Sequence, residues 1–327
     1  MKRIMLLFFL PIFFVILLFI VHAYKNLDKG AKFTPPDNKV LLIIGQDHQT
    51  IQNYLEAIGI IPAGFMIYTN IHYAEGLDSP SRDYGAGISY AQDLIDKYPN
   101  TVLQIGLYMV DALVDTYTGR YDESIDKFAN WLKTINVPVY LRIGYEFDGP
   151  HNHYNPDDYR KAYRYIVDKF RSYGVNNVAY VWHAHAHSLR SPIEDWYPGD
   201  EYVDWVGISY FSQHHNYMIP AIKFAREHNK PVMIAEATPQ GIGTTYGEKS
   251  WKRWFKPFFE FIEEYNIEAI SYINSNWEAM PMWKGQGWGD ARVHANTYIK
   301  EHWIEEIKKD RYLKSSKDLF SQLGYRP

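Results

Sequence analysis

Two glutamates follow apolar runs of the sequence. Glu146 lies in LRIGYEFDGP, residues 141–150, and Glu236 lies in VMIAEAT, residues 232–238. An unpaired carboxylate is costly inside a sheet, so we expect both side chains at strand ends rather than within strands. Two carboxyl groups that face each other across a cleft can cleave a glycosidic bond, one as proton donor and the other as nucleophile or base. The residues alone leave a structural alternative open, in which each glutamate only pairs with a neighbour such as Arg142.

The segment HAHAH places His183, His185 and His187 at alternate positions. A strand would point alternate side chains to one face, and a His-x-His pair in a barrel can bind zinc. A metal-dependent hydrolase is therefore an alternative function. The ends of the other predicted strands offer few further ligands. We favour a site without a metal or other cofactor, with His183 in a substrate cleft and the other two histidines in a loop.

Eight short apolar runs alternate with longer amphipathic stretches from residue 39 onward. The runs are residues 40–45, 65–70, 102–108, 139–147, 178–185, 204–211, 232–238 and 269–276. Strands that are apolar on both faces and alternate with helices indicate parallel pairing through helical crossovers. Eight such units predict one (β/α)8 TIM barrel over residues 39–313, with a polar tail at 314–327. An open doubly wound sheet is the alternative, but no glycine-rich phosphate loop follows the first run.

The composition narrows the classes of partner. The 327-residue chain has a formal net charge of −4 and no run of Lys or Arg beyond its first residues, which argues against a nucleic-acid partner. It contains no cysteine, which excludes disulfides, a thiolate nucleophile and a lipid anchor on Cys. Its 28 Tyr, 10 Trp and 17 Phe fill a large core or, where exposed, offer flat faces that suit sugars. The composition is therefore compatible with a polysaccharide partner.

The N-terminal residues have the pattern of an export signal. Lys2 and Arg3 precede an uncharged apolar stretch at residues 4–21, which small residues follow as a cleavage site. The stretch is also about long enough to span a membrane with its basic end in the cytoplasm. We therefore expect residues 1–23 to be a signal peptide or membrane anchor and residues 24–38 to be a linker. Either case places the barrel outside the cytoplasm, as a secreted or periplasmic protein or one attached to the outer face of the membrane.

Four segments carry a resemblance to a known family. They are RIGYEFDG (142–149), WYPGDEYVDWVGISYF (196–211), PVMIAEAT (231–238) and YINSNWEAMPMW (272–283). Their order resembles glycoside hydrolase family 26, the β-mannanase family. The resemblance implies a (β/α)8 barrel and retaining double displacement on a β-linked polysaccharide of the β-mannan type, cut internally. It also implies Glu146 as acid/base and Glu236 as nucleophile. Tyr210 is implied as the hydrogen-bond partner of the nucleophile, and Trp277 as a sugar-stacking platform.

Further side chains at or beside the predicted strand ends are expected to bind substrate. They are Asp47, His48, Arg142, Tyr145, Trp182, His183 and Asn276. In the family that the chain resembles, a His usually precedes the acid/base, whereas this chain has Tyr145, which implies a different contact to the sugar 2-hydroxyl. Besides the two hydrolases, a non-catalytic carbohydrate-binding barrel is an alternative function.

Overall fold

Parallel strands and helices alternate along the chain and close into a barrel. The computed structural model describes residues 30–187 and 192–326. The barrel strands are β1 Val40–Gly45, β2 Gly64–Asn70, β3 Val102–Tyr108, β4 Val139–Ile143, β5 Val178–Ala184, β6 Trp205–Tyr210, β7 Val232–Ala237 and β8 Ala269–Ile273. They pair in chain order, and β1 pairs with both β2 and β8, so the sheet is closed. The predicted (β/α)8 barrel is confirmed, and the open doubly wound alternative is wrong.

The helices cover the outside of the barrel. They are α1 His48–Ile58, α2 Ala91–Lys97, α3 Leu113–Tyr117, α4 Asp122–Thr134, α5 Pro156–Ser172, α6 Ile219–Glu227, α7 Glu248–Ser250, α8 Lys256–Glu264, α9 Thr297–Ile307 and α10 Leu319–Gln322. Helix α5 begins where Asn155 accepts a hydrogen bond from the Asp158 amide at 2.9 Å and Pro156 occupies the first turn, which suits both residue types. A π-helical turn, Trp251–Phe255, joins α7 to α8.

Alternate strand residues form two apolar layers. In β1, Leu42 and Ile44 pack outward with the helices, whereas Leu41 and Ile43 lie inside the barrel. Each fully buried side chain of this size contributes about 1.5–3 kcal/mol relative to an exposed one, which explains why both alternations are apolar. The same alternation directs every second residue of β5 outward, including Trp182.

The amino-terminal end of the barrel is closed by residues from both ends of the described chain. Tyr140 lies inside the barrel and donates its hydroxyl to the Phe33 carbonyl oxygen at 2.6 Å. A short strand β9, Tyr312–Leu313, pairs with β1. Leu319 and Leu323, in the segment predicted as a tail, add buried side chains to the inner layer. The floor is therefore packed, which leaves the carboxyl ends of the strands for a site.

The predicted signal or anchor at residues 1–23 lies outside the described residues, as does most of the predicted linker. Among residues 30–187 and 192–326, no helix combines the length and apolar character needed to cross a membrane. The first strand begins at Val40, one residue after the predicted start of the barrel.

Candidate active site

A tight turn after β4 carries Glu146. Sequence analysis places Glu146 in a strand that runs to residue 147, but β4 ends at Ile143. Gly144 and Glu146 both have φ of +54°, a left-handed conformation that glycine adopts freely and that costs other residues about 1–3 kcal/mol. The Glu146 carbonyl accepts hydrogen bonds from the Gly149 amide at 2.7 Å and the Asn152 side chain at 2.9 Å, which hold the turn. The turn gives the Glu146 carboxylate a position that a regular strand would not.

An irregularity between β6 and β7 positions Glu236. Ile208 pairs with Ile234, but the next residue of β6, Ser209, pairs with Glu236, so β7 has one extra residue at this point. Such bulges re-aim side chains and are common beside active sites. Ser209 and Glu236 consequently lie side by side at the carboxyl ends of their strands, and both are buried.

Glu236 is bound by a fully buried cation. Arg142, on β4, forms an ion pair through Nη1 with Glu236 Oε1, and the Tyr68 hydroxyl donates to the same oxygen at 2.7 Å. The guanidinium lies 5.1 Å from the ring centre of Tyr68 and 5.3 Å from that of Tyr145, within cation–π range. Gly106 on β3 leaves the necessary room. A Cβ at this position would lie 2.6 Å from the Tyr68 ring and 2.9 Å from the Arg142 guanidinium.

A chain of hydrogen bonds joins the two glutamates. Arg142 Nη1 lies 3.3 Å from His183 Nδ1, and His183 Nε2 lies 3.1 Å from Ser209 Oγ. The Ser209 hydroxyl in turn donates to Glu146 Oε1 at 2.6 Å. Because arginine only donates, His183 Nδ1 accepts, and its Nε2–H donates to Ser209. Arg142 pairs with Glu236 and reaches Glu146 only through this chain, so the direct Arg142–Glu146 pair of the structural alternative is wrong.

Histidines surround the Glu146 carboxylate. His151 Nε2 lies 3.0 Å from Oε2, and His185 Nε2 lies 4.0 Å from Oε1. Burial alone would raise the pKa of Glu146, but the hydrogen bond from His151 and the charges of the neighbouring histidines outweigh burial and lower that pKa to about 2. The hydrogen bond to Glu146 raises the pKa of His151 in return. The pair therefore holds one proton, which resides on His151.

Burial dominates the titration of the other glutamate. It raises the pKa of Glu236, while the charge of Arg142 and the hydrogen bonds from Tyr68 and Arg142 oppose the rise. Burial disfavours the charged form of Arg142 too, but Glu236 and Tyr68 outweigh it and raise the pKa of Arg142. Burial and the charge of Arg142 lower the pKa of His183 well below its ordinary value. The imidazole is therefore neutral, as its acceptor role at Nδ1 requires.

The three histidines of HAHAH have different surroundings. His183 is fully buried and does not lie in an open cleft, which corrects the prediction that it contacts the substrate. His185 and His187 follow β5 in a loop, as predicted, with ring centres 5.4 Å apart. Within residues 30–187 and 192–326, no group of three His, Cys, Asp or Glu side chains is arranged to hold a metal ion.

Two aromatic predictions are wrong for one reason. Tyr210, predicted to hydrogen-bond the nucleophile, packs in the outer layer, and its hydroxyl lies 2.9 Å from His215 Nε2. Trp182, predicted to contact the substrate, packs in the same layer, stacked on Phe147 with ring centres 4.6 Å apart. Even-numbered residues of β5 and β6 face the helices, so both rings point away from the barrel mouth. The tyrosine hydroxyl that donates to Glu236 is instead that of Tyr68.

The polar residues after β1 serve local structure. Asp47 caps α1, since its carboxylate accepts the Thr50 amide at 3.0 Å and also the Thr50 hydroxyl. His48 Nε2 lies 2.6 Å from a carboxylate oxygen of Asp93 on α2. Both side chains therefore contact neighbouring helices, whereas sequence analysis expects them to bind substrate.

The substrate contacts of Tyr145, Asn276 and Trp277 stay predictions. Tyr145 is half-buried beside Arg142, and Asn276 forms an isolated backbone bridge with Asp290. Trp277 is 2% exposed, because a loop rich in tryptophan covers it. The ring centres of Trp283 and Trp288 lie 5.2 Å and 5.0 Å from that of Trp277. A sugar that stacks on Trp277 therefore requires this loop to move.

Sequence analysis does not identify three side chains of the site. Tyr68 and Ser209 are ordinary strand residues in the sequence, and nothing near them signals chemistry. The inward direction of the Ser209 side chain follows only from its alternation with Gly207, which also faces the barrel interior. His151 has a weak signal, because it lies in a loop with a second histidine directly after the predicted acid/base.

Comparison with known proteins identifies the family of this chain. The sequence pattern described as glycosyl hydrolase family 26 matches residues 91–286. The chain belongs to glycosyl hydrolase family 26. It is 34% identical over 319 residues to β-1,3-xylanase TXYA from Vibrio sp, covering 89% of this chain and 69% of that protein. It is also 34% identical over 319 residues to a β-1,3-xylanase from Alcaligenes sp, covering 89% of this chain and 68% of that protein.

A solved structure shares the fold of this family 26 chain. The family 26 β-mannanase from Bacteroides ovatus has a TM-score of 0.65 to it, over 89% of this chain and 93% of that chain, at 16% identity. The resemblance stated from the sequence is thus confirmed at the level of the family. As a family 26 member, the chain is a glycoside hydrolase that acts on a β-linked polysaccharide.

Proposed function

We propose that this family 26 enzyme is a retaining glycanase in which Glu236 is the nucleophile and Glu146 the acid/base. One observation carries the proposal: both carboxylates belong to a single buried hydrogen-bond chain through Arg142, His183 and Ser209. Double displacement needs two carboxyl groups about 5–5.5 Å apart across the reacting sugar. Glu236 first attacks the anomeric carbon while Glu146 protonates the leaving oxygen. Glu146 then removes a proton from water, which releases the sugar with retained configuration.

The contacts of Glu236 suit a nucleophile. Oε1 accepts from Arg142 and Tyr68, whereas Oε2 receives no hydrogen bond from the described residues. Oε2 is therefore the oxygen that attacks. Arg142 stabilises the ionised carboxylate that attack requires, and it stabilises the same charge when the glycosyl-enzyme is hydrolysed.

The contacts of Glu146 suit a proton donor that is completed by substrate binding. Ser209 holds Oε1, while Oε2 faces His151, whose side chain is 51% exposed on the short turn Pro150–Asn152. Because the pKa of Glu146 is lowered and that of His151 is raised, the shared proton resides on the imidazole. Displacement of His151 by the substrate, with transfer of its proton to Glu146, produces the acid that the first step needs.

The proposed substrate is β-1,3-xylan. Both relatives at 34% identity are named β-1,3-xylanases, and each comparison covers 89% of this chain. The β-mannan expected from the sequence resemblance is the second candidate. The β-mannanase structure at 16% identity supports only the assignment of the fold. Tyr145 precedes Glu146, where the resemblance implies a His near the sugar 2-hydroxyl. The 2-hydroxyl distinguishes mannose from other sugars, so a changed contact to it favours a different substrate.

Hydrolysis of a polysaccharide panel tests this proposal. Purified protein is incubated with β-1,3-xylan, β-1,4-xylan, β-1,4-mannan and mixed-linkage β-glucan, and reducing ends are measured with and without EDTA. We expect the fastest release from β-1,3-xylan, internal cleavage to a mixture of oligosaccharides, and no effect of the chelator. Preference for β-1,4-mannan would support the second candidate. Binding without release from any polymer would support the non-catalytic alternative, and loss of activity with EDTA the metal-dependent one.

Export of the enzyme from the cytoplasm is part of the proposal. Its support is the sequence alone, in which Lys2 and Arg3 precede the apolar stretch at residues 4–21. Residues 1–38 fused to an alkaline phosphatase without its own signal are expected to give active phosphatase outside the cytoplasm. N-terminal sequencing of the product distinguishes a cleaved signal from a retained anchor. A fusion that stays inactive contradicts export.

A further inference from the structure

A cavity lies beside the active site, among loops at the carboxyl ends of the strands. Its volume is about 500 Å³, and it lies between the loops that follow β6 and β7 and the π-helical turn Trp251–Phe255. Phe211 lines the cavity and also lies next to a histidine of the active site. The ring centre of Phe211 lies 6.2 Å from that of His185, whose Nε2 lies 4.0 Å from Glu146 Oε1. One polysaccharide chain can therefore occupy the active site and extend to this cavity.

Two cations line this cavity, and neither has an acidic partner in the described part of the chain. Lys249 and Arg253 are four residues apart, which places them on one face of the helix that α7 and the π-helical turn form. Among the described residues, no carboxylate lies within the 4.0 Å of an ion pair from either side chain. Of residues 30–187 and 192–326, no Asp or Glu lines the cavity. Turns of π-helix are frequent at functional sites, which agrees with a ligand here.

The neighbouring lysines of this helix and of α8, which continues it, are neutralised. Lys252 pairs with Glu248 at 2.6 Å, and Lys256 lies 3.7 Å from Glu260. The helix thus carries paired charges on one face and unpaired positive charges on the face toward the cavity. In a chain with a formal net charge of −4, this concentration of positive charge favours an anionic ligand at the cavity.

The remaining lining of the cavity suits a sugar. Tyr246 is 64% exposed at the rim, with Lys249 Nζ 5.5 Å from its ring centre. The Ser212 hydroxyl donates to Gln240 Oε1 at 2.7 Å, which orients Gln240 so that its amide nitrogen can donate to a ligand. An exposed aromatic ring beside amide and hydroxyl groups is the usual surface for a hydroxylated ring.

We propose that this cavity is a subsite for an anionic sugar unit of the same polysaccharide, carrying a carboxylate or a sulfate ester. Lys249 and Arg253 bind the anion, and Tyr246 and Gln240 contact the sugar ring. The volume exceeds what a lone inorganic anion needs and lies in the range of small-ligand sites. The inference rests on the proposed function, since it assigns the occupant of a site next to the proposed acid/base.

Paired substrates and paired variants test the subsite. The enzyme is assayed on its best neutral polysaccharide and on the same polymer after light carboxymethylation or light sulfation. We expect the double variant K249Q/R253Q to raise KM for at least one substituted polymer about tenfold, while kcat and the KM for the neutral polymer stay unchanged. The double variant K252Q/K256Q removes the same charge from the same helix and is expected to behave as wild type. The polymer that shows the effect identifies the anion.

A binding measurement separates this inference from the proposed function. Electrophoresis through gels that contain each polymer reports binding without turnover, and K249Q/R253Q is expected to lose retardation by the substituted polymer alone. Wild-type protein that binds neutral and substituted polymers equally, or equal changes in both double variants, would overturn the subsite. Absence of hydrolysis of every neutral polymer would refute the proposed function and leave the gel result to decide the subsite.

Discussion

His151 Nε2 lies 3.0 Å from Glu146 Oε2, close enough for the two groups to share a single proton. With the pKa of Glu146 lowered to about 2 and that of His151 raised, the pair is ionic over the range between the two values. The state that protonates the leaving oxygen has the same number of protons, with the proton moved from nitrogen to oxygen. The pair loses that proton only as pH rises through the raised pKa of His151. The other titratable groups around the pair are His183, His185, Asp148 and Glu236.

His151→Gln is expected to move the alkaline limb of kcat/KM to lower pH by about one unit or more. The remaining acid is then Glu146 alone, and a carboxyl group loses its proton at lower pH than the histidine that held it. The measurement is kcat/KM across the acidic to alkaline range for both proteins. His153→Gln, in the same loop and exposed, is the control and should leave the limb in place. An alkaline limb that His151→Gln does not move contradicts the shared proton.

Tyr68→Phe removes the hydroxyl that donates to Glu236 Oε1 at 2.7 Å. That hydrogen bond lowers the pKa of Glu236, so its loss raises that pKa further. The acidic limb of kcat/KM is therefore expected to move to higher pH, and kcat to fall about tenfold. Tyr210→Phe is the matched control, because the Tyr210 hydroxyl contacts His215 instead. Equal shifts of the acidic limb in the two variants would contradict the assignment of Tyr68 as the hydrogen-bond donor to Glu236.

Arg142→Met is expected to lower the free energy of unfolding by about 3–5 kcal/mol, because Glu236 is left buried without its cation. Adding Glu236→Gln should recover part of this loss, since the double variant buries no lone charge. Urea unfolding at neutral pH measures Arg142→Met, Glu236→Gln and the double variant. Arg311→Met breaks a more exposed pair with Glu263 and should cost less than about 1 kcal/mol. Strictly additive losses would mean that Arg142 and Glu236 do not interact.

An activated leaving group separates the roles of the two glutamates. Dinitrophenolate leaves without a proton, so Glu146→Gln should form the glycosyl-enzyme from a dinitrophenyl glycoside at nearly the wild-type rate. On polysaccharide the same variant should lose about 10³-fold. Glu236→Gln should lose at least about that factor on both substrates, because the attacking group itself is gone. Pre-steady-state release of dinitrophenolate checks the first result, and similar losses on both substrates for Glu146→Gln would contradict its role.

The strands and the two glutamates are predictable from the sequence. Strands buried on both faces are mostly apolar, so apolar runs mark all eight. Glu146 and Glu236 are then found near the carboxyl ends of two of these runs. Whether a side chain faces into or out of the barrel is harder to predict from the sequence, because it depends on pairing with neighbouring strands. Tyr210 and Ser209 are adjacent in the sequence, yet only Ser209 faces the barrel interior.

The local backbone and the distant partners are not predictable in this way. The turn that holds Glu146 at φ of +54° and the extra residue in β7 are irregularities that no apolar pattern encodes. Tyr68 lies 168 residues before Glu236 in the chain, and only closure of the barrel brings them together. Contacts of this range depend on the tertiary fold, which overrides local sequence signals.

Trapping of the glycosyl-enzyme tests the central claim most directly. A 2-deoxy-2-fluoro glycoside with a good leaving group slows both steps and accumulates the covalent intermediate, which mass spectrometry of the digested protein then locates. The account predicts stoichiometric inactivation, with the label on Glu236 in the peptide that contains VMIAEAT. A label on Glu146 or any other residue, or continued turnover with inversion and no label, would contradict it.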